Sequence, residues 1–87
     1  MEYVEKTLEM RGMKRIEIVD YFISIGGEAV DGEKFTSQGW QAEISKEKLV
    51  ILGSLKIPAT IVILRCRKDI SEQMLAAFRL KFLTAGG

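Results

Sequence analysis

Two hydrophobic periods meet at one glycine, and that junction restricts the fold more than any other feature of the chain. Tyr3–Arg11 alternates: Val4, Leu8 and Met10 fall on one side, Glu5, Thr7, Glu9 and Arg11 on the other, with Lys6 the exception on the apolar side. Period-two alternation predicts a half-buried strand. Past Gly12 the spacing turns helical. Met13–Ile25 sets Ile16, Val19, Phe22 and Ile23 on one stripe, widened by Ile18, Tyr21 and Ile25, and Gly26-Gly27 ends it. A strand with one face to hide, followed by a helix with an apolar stripe, predicts helix packed on sheet.

The remaining elements continue this plan. Asp31-Gly32 marks a turn, Glu33–Ser37 a short strand, and Trp40–Ser45 a strand with Trp40, Ala42 and Ile44 facing inward. Lys46-Glu47-Lys48 reads as a charged reverse turn. Leu49–Leu55 reads as one apolar strand in which Gly53 suggests a bulge or a close backbone contact; Pro58 reads as a bend or an edge. Ala59–Cys66, rich in Ile, Val and Leu, is the strongest strand and suits a central or doubly covered position. Asp69 with Glu72 resembles a capping box opening a second helix, whose stripe is Met74, Leu75, Phe78 and Phe82. The expected order is β-α-β(4)-α, an α+β fold with an antiparallel sheet and both helices on one face. That order is TATA-binding-protein-like. A ferredoxin-like fold is the competitor, but it needs a strand after the last helix, and none is left.

At 87 residues the chain is expected to form a single α+β domain spanning 1–87, since two cores would need roughly 100 residues or more. Histidine is absent, which removes the usual general base, the Ser/His and Cys/His pairs and the commonest transition-metal ligand. No enzyme activity, metal or cofactor is therefore expected. The lone Cys66 cannot make an internal disulfide, and a small reduced domain suits the cytoplasm. No stretch approaches the ~20 apolar residues that span a bilayer, so no membrane partner is expected.

Charge supplies the first candidate site. Residues 1–55 carry seven Lys/Arg against ten Asp/Glu, a net of −3, whereas residues 56–87 carry six against two, a net of +4. Arg65, Arg67 and Lys68 lie just before the second helix, whose N-terminus favours anions. They could converge on a small anionic ligand, although Asp69 and Glu72 compete for that end and a solvated face is the plainer reading. Nucleic acid is not expected, because the net charge is only +1 and stacking aromatics do not interleave with the cations. Cys66 sits between two arginines, yet alternation places it with Val62 and Leu64, so a buried thiol is the expectation. Glu28, Asp31 and Glu33 lack the ligand run of a calcium loop and read as a solvated turn.

Tyr21-Phe22, Gly26-Gly27-Glu28, Gly39-Trp40, Leu52-Gly53-Ser54, Ile57-Pro58 and Phe78-Arg79 with Ala85-Gly86-Gly87 together resemble the C-terminal domain of MoaD-related proteins. In those, a molybdopterin-synthase small-subunit-like β-grasp domain precedes a small domain of poorly defined role. The resemblance runs from about Gly12 to Gly87. It implies a TATA-binding-protein-like fold and a tie to molybdopterin cofactor biosynthesis, with a protein of molybdenum-cofactor metabolism as the partner. The β-grasp half has no counterpart here, and the resemblance brings no catalytic residues.

Three roles follow as expectations. The first is a non-catalytic binding or accessory module using the concave side of the sheet or the gap between sheet and helices. There Trp40 offers a large contact, and Gly53 lets a ligand near the backbone; both also suit a packed core. The second is a sulfur-carrier-like protein acting through Gly86-Gly87, against which a helix stop is the default. The third is a structural oligomerisation domain using an edge strand.

Overall fold

A computed structural model describes residues 2–86. Among these the elements are β1 (Tyr3–Arg11), α1 (Arg15–Ser24), β2 (Glu28–Ala29), β3 (Lys34–Ser37), β4 (Trp40–Ile44), β5 (Lys48–Leu52), β6 (Leu55–Arg67) and α2 (Lys68–Gly86). The fold is α+β: one antiparallel sheet in the order β1-β6-β4-β3-β2, with β5 joined to β6 beyond that path.

Alternation decides which face is covered. Val62, Leu64 and Cys66 of β6 stand opposite Leu8, Lys6 and Val4 of β1 and opposite Ile44, Ala42 and Trp40 of β4. These positions share one side, and all but the exposed Lys6 join a core that also takes Phe35, Ile18, Val19 and Phe22 of α1, and Phe78 and Phe82 of α2. Both helices meet over that side. The Phe22 ring lies 5.5 Å from Phe78 and 5.4 Å from Trp40, and Tyr21 packs edge-on to Phe78 and Phe82 at 5.5 Å. Offset and edge-on aromatic contacts of this kind add about 0.5–1.5 kcal/mol each beyond area burial.

Five strands rather than four separate the helices, because Glu28–Ala29 pairs with Phe35 and Thr36. Two residues carry no readable periodicity. The α1 stripe is rotated from its expected setting: Ile18, Val19 and Phe22 are buried, while Ile16, Ile23 and Ile25 are exposed. α1 has apolar residues on more than half its circumference, so spacing alone did not select the face. Its last turn closes as expected at Gly26-Gly27, with Gly26 N–H donating to Ile23 O and Gly27 N–H to Phe22 O. Its first turn is closed by carboxylates: Lys14 N–H donates to Glu17 Oε2 (2.9 Å) and Arg15 N–H to Glu47 Oε1 (2.8 Å). The Arg15 side chain then donates to the carbonyls of Ser45, Gly32 and Ile44, tying α1 to the β2–β3 and β4–β5 loops.

The largest departure lies in Leu49–Arg67. The expected single strand Leu49–Leu55 is a hairpin: β5 turns at Gly53-Ser54 and returns as β6, with Leu52 opposite Leu55. Gly53 has φ +62° and among the described residues no non-glycine residue has positive φ, so the two-residue turn is of the II′ kind, which takes glycine first. Gly53 is thus a turn residue and not a bulge. Pro58 sits inside the thirteen-residue β6, not at a bend. It is tolerated because its backbone faces the end of β1, where its carbonyl accepts from Gly12 N–H at 2.9 Å and no donor is required of it. The expected reverse turn Lys46-Glu47-Lys48 gives up Lys48 to β5. Asp69 lies within the first turn of α2, not at its cap, and turns back to Arg67.

Candidate functional site

With both helices on one side, the opposite face of the sheet carries no helix. Alternation brings the odd-numbered residues of β1 and β6 to it: Tyr3, Glu5, Thr7 and Glu9 beside Ile61, Ile63, Arg65 and Arg67, flanked by Gln41 and Glu43 of β4. Near one end of this face a hollow of about 280 Å³ is lined by Tyr3, Thr36, Ser37, Gly39, Gln41 and Arg65, with an edge of Trp40. The Arg65 guanidinium carbon lies 5.4 Å from the centre of the Tyr3 ring, a cation–π contact that holds the side chain over the strand. Glu5 is directly across from Arg65 in register, yet among the described residues no carboxylate comes within ion-pair distance of it. The Thr36 hydroxyl, the Gln41 amide and the Arg65 guanidinium share this face across neighbouring strands and can donate to an anionic oxygen group.

The five residues singled out in the sequence separate into three places. Arg65 lines the hollow. Trp40 touches it, but at 7% exposure belongs mainly to the core. The expected gap between sheet and helices is filled by the rings of Phe22, Trp40 and Phe78. Arg67 and Lys68 do not converge with Arg65 on an anion: Arg67 Nε donates to Asp69 Oδ1 at 3.0 Å, and Lys68 Nζ is 3.4 Å from Glu2. The hydrogen bond from Arg67 holds the Asp69 carboxyl below the usual carboxylate range, so the positive end of α2 is met by the chain's own acids. Gly53 lies at the tip of the hairpin, about ten residues along β6 from Arg65, or roughly 30 Å of extended strand.

The remaining candidates are settled by burial and hydrogen bonding. Cys66 is 2% exposed, and burial pushes its thiol up, away from the thiolate form that reacts. Asp31 Oδ1 accepts from Glu33 N–H (2.7 Å) and Lys34 N–H (2.8 Å); these bonds lower its pKa and make the turn self-contained. Among the described residues no group of three or more His, Cys, Asp or Glu could hold a metal ion. α2 extends to Gly86; Gly87, the end of the expected Gly86-Gly87 tail, lies outside the described residues. Sequence reading missed Tyr3, Thr36, Ser37 and Gln41. For Tyr3, Thr36 and Gln41 the signal is alternation: each is the outer-face member of a strand whose other face is apolar; Ser37 shares the inner face with Phe35 and Trp40 and lines the hollow only at the strand end.

What fold and hollow define is a small open-faced α+β protein with a polar hollow on the face that carries no helix. Residues 6–87 match the model of the family described as Archaeal MoaD-like protein, and the chain belongs to that family. No curated protein matches the chain. No helix among the described residues is long and apolar enough to cross a membrane.

Proposed function

We propose that this protein is a non-catalytic accessory module of molybdenum-cofactor metabolism, acting in the cytoplasm. It holds an anionic group, carried by a partner protein or by a small ligand, against Arg65. The observation that carries this reading is the Arg65 side chain. It is held over Tyr3, unpaired with any carboxylate among the described residues, and placed on one face with Gln41 and Thr36. Family membership supports the metabolic setting. The absence of histidine and the burial of Cys66 support a binding role over a catalytic one.

Trp40 is the chain's only tryptophan and touches the hollow, so its fluorescence reports occupancy. Titration with inorganic phosphate, pterin and nucleotide compounds should shift the emission for at least one of them. Arg65→Ala should weaken that response at least tenfold, the equivalent of about 1.4 kcal/mol, within the range of one charge-assisted hydrogen bond. Flat emission with every compound up to millimolar concentration, together with no Arg65-dependent capture of a molybdenum-cofactor protein, would sink the reading.

The family match also runs through the terminal Gly86-Gly87, which favours a second reading as a sulfur-carrier-like protein whose terminal carboxylate is adenylated and then sulfurated. Incubation with an activating enzyme, ATP and a sulfur donor, followed by intact-mass measurement, separates the two. A mass unchanged throughout ends the carrier reading and leaves the first untouched.

A further inference from the structure

The β5–β6 hairpin extends past the helices and exposes aliphatic side chains that a solitary soluble domain would ordinarily hide. Leu49, Ile51, Leu52 and Leu55 are 63%, 67%, 48% and 63% exposed. β5 pairs with β6 alone, so its other edge is open. Open edges are normally blunted by proline, a bulge or inward charge. Here β5 reads Lys-Leu-Val-Ile-Leu, with its one charge at the end.

Which backbone groups are open follows from Pro58. Its carbonyl points toward β1, where Gly12 N–H reaches it, and in a strand the N–H and C=O of one residue point the same way. The Leu49–Pro58 pair therefore makes no ladder bond. Leu49 turns its own N–H and C=O outward, away from β6, and by alternation so does Ile51. Lys48, Val50 and Leu52 point inward.

We infer that a second copy of this chain occupies the β5 edge, joined antiparallel about a two-fold axis at Val50. In that register Leu49 of one copy faces Ile51 of the other, and the reverse, so the four outward-facing residues meet as two fully hydrogen-bonded pairs. Val50 faces its own counterpart as a non-bonded pair. The axis is perpendicular to the sheet, so faces are preserved and the Leu49 and Ile51 side chains of both copies form one aliphatic cluster. Each Lys48 lies opposite a Leu52, not another lysine, which avoids like charges facing each other. A shift by one residue would set outward-facing groups against inward-facing ones and lose the bonds. The contact is isologous and closes at two copies, giving the ribbon β6-β5-β5-β6.

Area sets how tight this contact can be. Leu49 and Ile51, the residues that cluster across the axis, present on the order of 100 Å² each, hence roughly 400 Å² over two copies; Leu52 and Leu55 lie on the other face, and Leu55 is one strand removed from the joined edge. That is the apolar share, about 65%, of an interface of about 600 Å², the size of a weak, transient contact. The expected complex is a weak dimer, independent of what Arg65 binds.

The test uses the full chain in analytical ultracentrifugation from 10 µM to 1 mM. Wild type should convert from monomer to dimer in that range. Ile51→Pro removes an N–H that only the second copy would use, so it should keep the native circular-dichroism spectrum while weakening dimerisation at least tenfold. Arg65→Ala should leave dimerisation unchanged. Val50→Cys should oxidise to a covalent dimer, because the counterpart residues fall within disulfide reach and Cys66 is buried. A monomer at 1 mM, a dimer untouched by Ile51→Pro in folded protein, or failure of Val50→Cys to cross-link would each overturn the inference.

Discussion

One strand, β6, passes through two regions built on different terms. From Ala59 to Arg67 it lies beside β1 and β4, with helices over one face, and Val62, Leu64 and Cys66 lie at the bottom of an aromatic core. From Leu55 to Pro58 it has β5 for a neighbour, no helix above it, and exposed leucines. The residue types barely differ between the halves. Neighbours decide what an aliphatic residue contributes: within the body it is stability, and in the arm it is a surface for another molecule. Hydrophobicity along a strand therefore does not report burial unless the strands and helices around it are known.

The widest separation between the two regions should come from truncating one side chain in each. Phe78→Ala removes a ring packed on Phe22, Tyr21 and Phe82, and should cost about 3–5 kcal/mol in urea unfolding, a large share of what a small domain possesses. Ile51→Thr, at a position 67% exposed, should stay within about 0.5 kcal/mol in dilute monomer. Comparable losses at both would erase the distinction.

Glycine substitutions probe the same contrast at smaller scale. A Cβ at Gly27 would stand 2.7 Å from both Phe22 O and Trp40 Cη2, so backbone and core would have to shift. Gly27→Ala should cost about 1–3 kcal/mol. At Gly53 nothing lies within 4 Å, and only the left-handed φ of +62° opposes a side chain. Gly53→Ala should cost about 1–2 kcal/mol, and Gly53→Asn less, since asparagine tolerates that conformation. Equal cost for alanine and asparagine at Gly53 would show that the turn is constrained by something other than φ.

A gain is expected at Thr60. Its Oγ1 is buried without a hydrogen-bond partner, on the β6 residue paired with Met10 of β1. Thr60→Val should raise stability by about 1 kcal/mol, read as a higher urea midpoint at unchanged slope. A loss there would mean that the hydroxyl is satisfied by water.

The smallest effect is on acid stability. Backbone N–H groups hold the Asp31 carboxyl, and Arg67 holds that of Asp69, below the unfolded value. A depressed folded pKa contributes stability above the unfolded value of about 3.9, and this is lost as pH falls through the folded pKa. Asp31→Asn and Asp69→Asn should each lower the melting temperature slightly at pH 7 and leave it unchanged in acid, where the wild-type carboxyls are protonated, so that the decline below about pH 4 is flattened. An unaltered acid decline in the double variant would remove both groups from the account.

Much of the body was legible because its strands have one apolar face. Tyr3–Arg11 was read to the residue, and Trp40, Ala42 and Ile44 were read as inward, since alternation against polar neighbours leaves one consistent arrangement. α1 is legible as a helix and Val19 and Phe22 face inward as expected, but Ile16 and Ile23 do not, because Ile16, Ile18, Val19, Ile23 and Ile25 nearly encircle it. The arm was read as continuous strand and bend. Leu52-Gly53-Ser54-Leu55 holds a two-residue turn signal that the surrounding apolar residues masked. Of the candidate site, Arg65 was legible from the charge asymmetry. Its separation from Arg67 and Lys68 was not, because Lys68 reaches Glu2 only through the way β1 meets α2, and Arg67 turns back to Asp69 at the β6–α2 junction.

The length of β6 has one more implication. The two-residue turn at Gly53-Ser54 fixes how β5 pairs with β6, but a ribbon by itself does not fix which way its faces point in the molecule. That is imposed from a distance: shifting β6 by a single residue against β1 and β4 would drag Arg65 into the aromatic interior and eject Cys66 from it. The turn sets the pairing within the hairpin, and packing that the hairpin never touches sets its orientation. Its outward amides at Leu49 and Ile51 are thus held at constant phase relative to the body, and whatever joins them meets a fixed template.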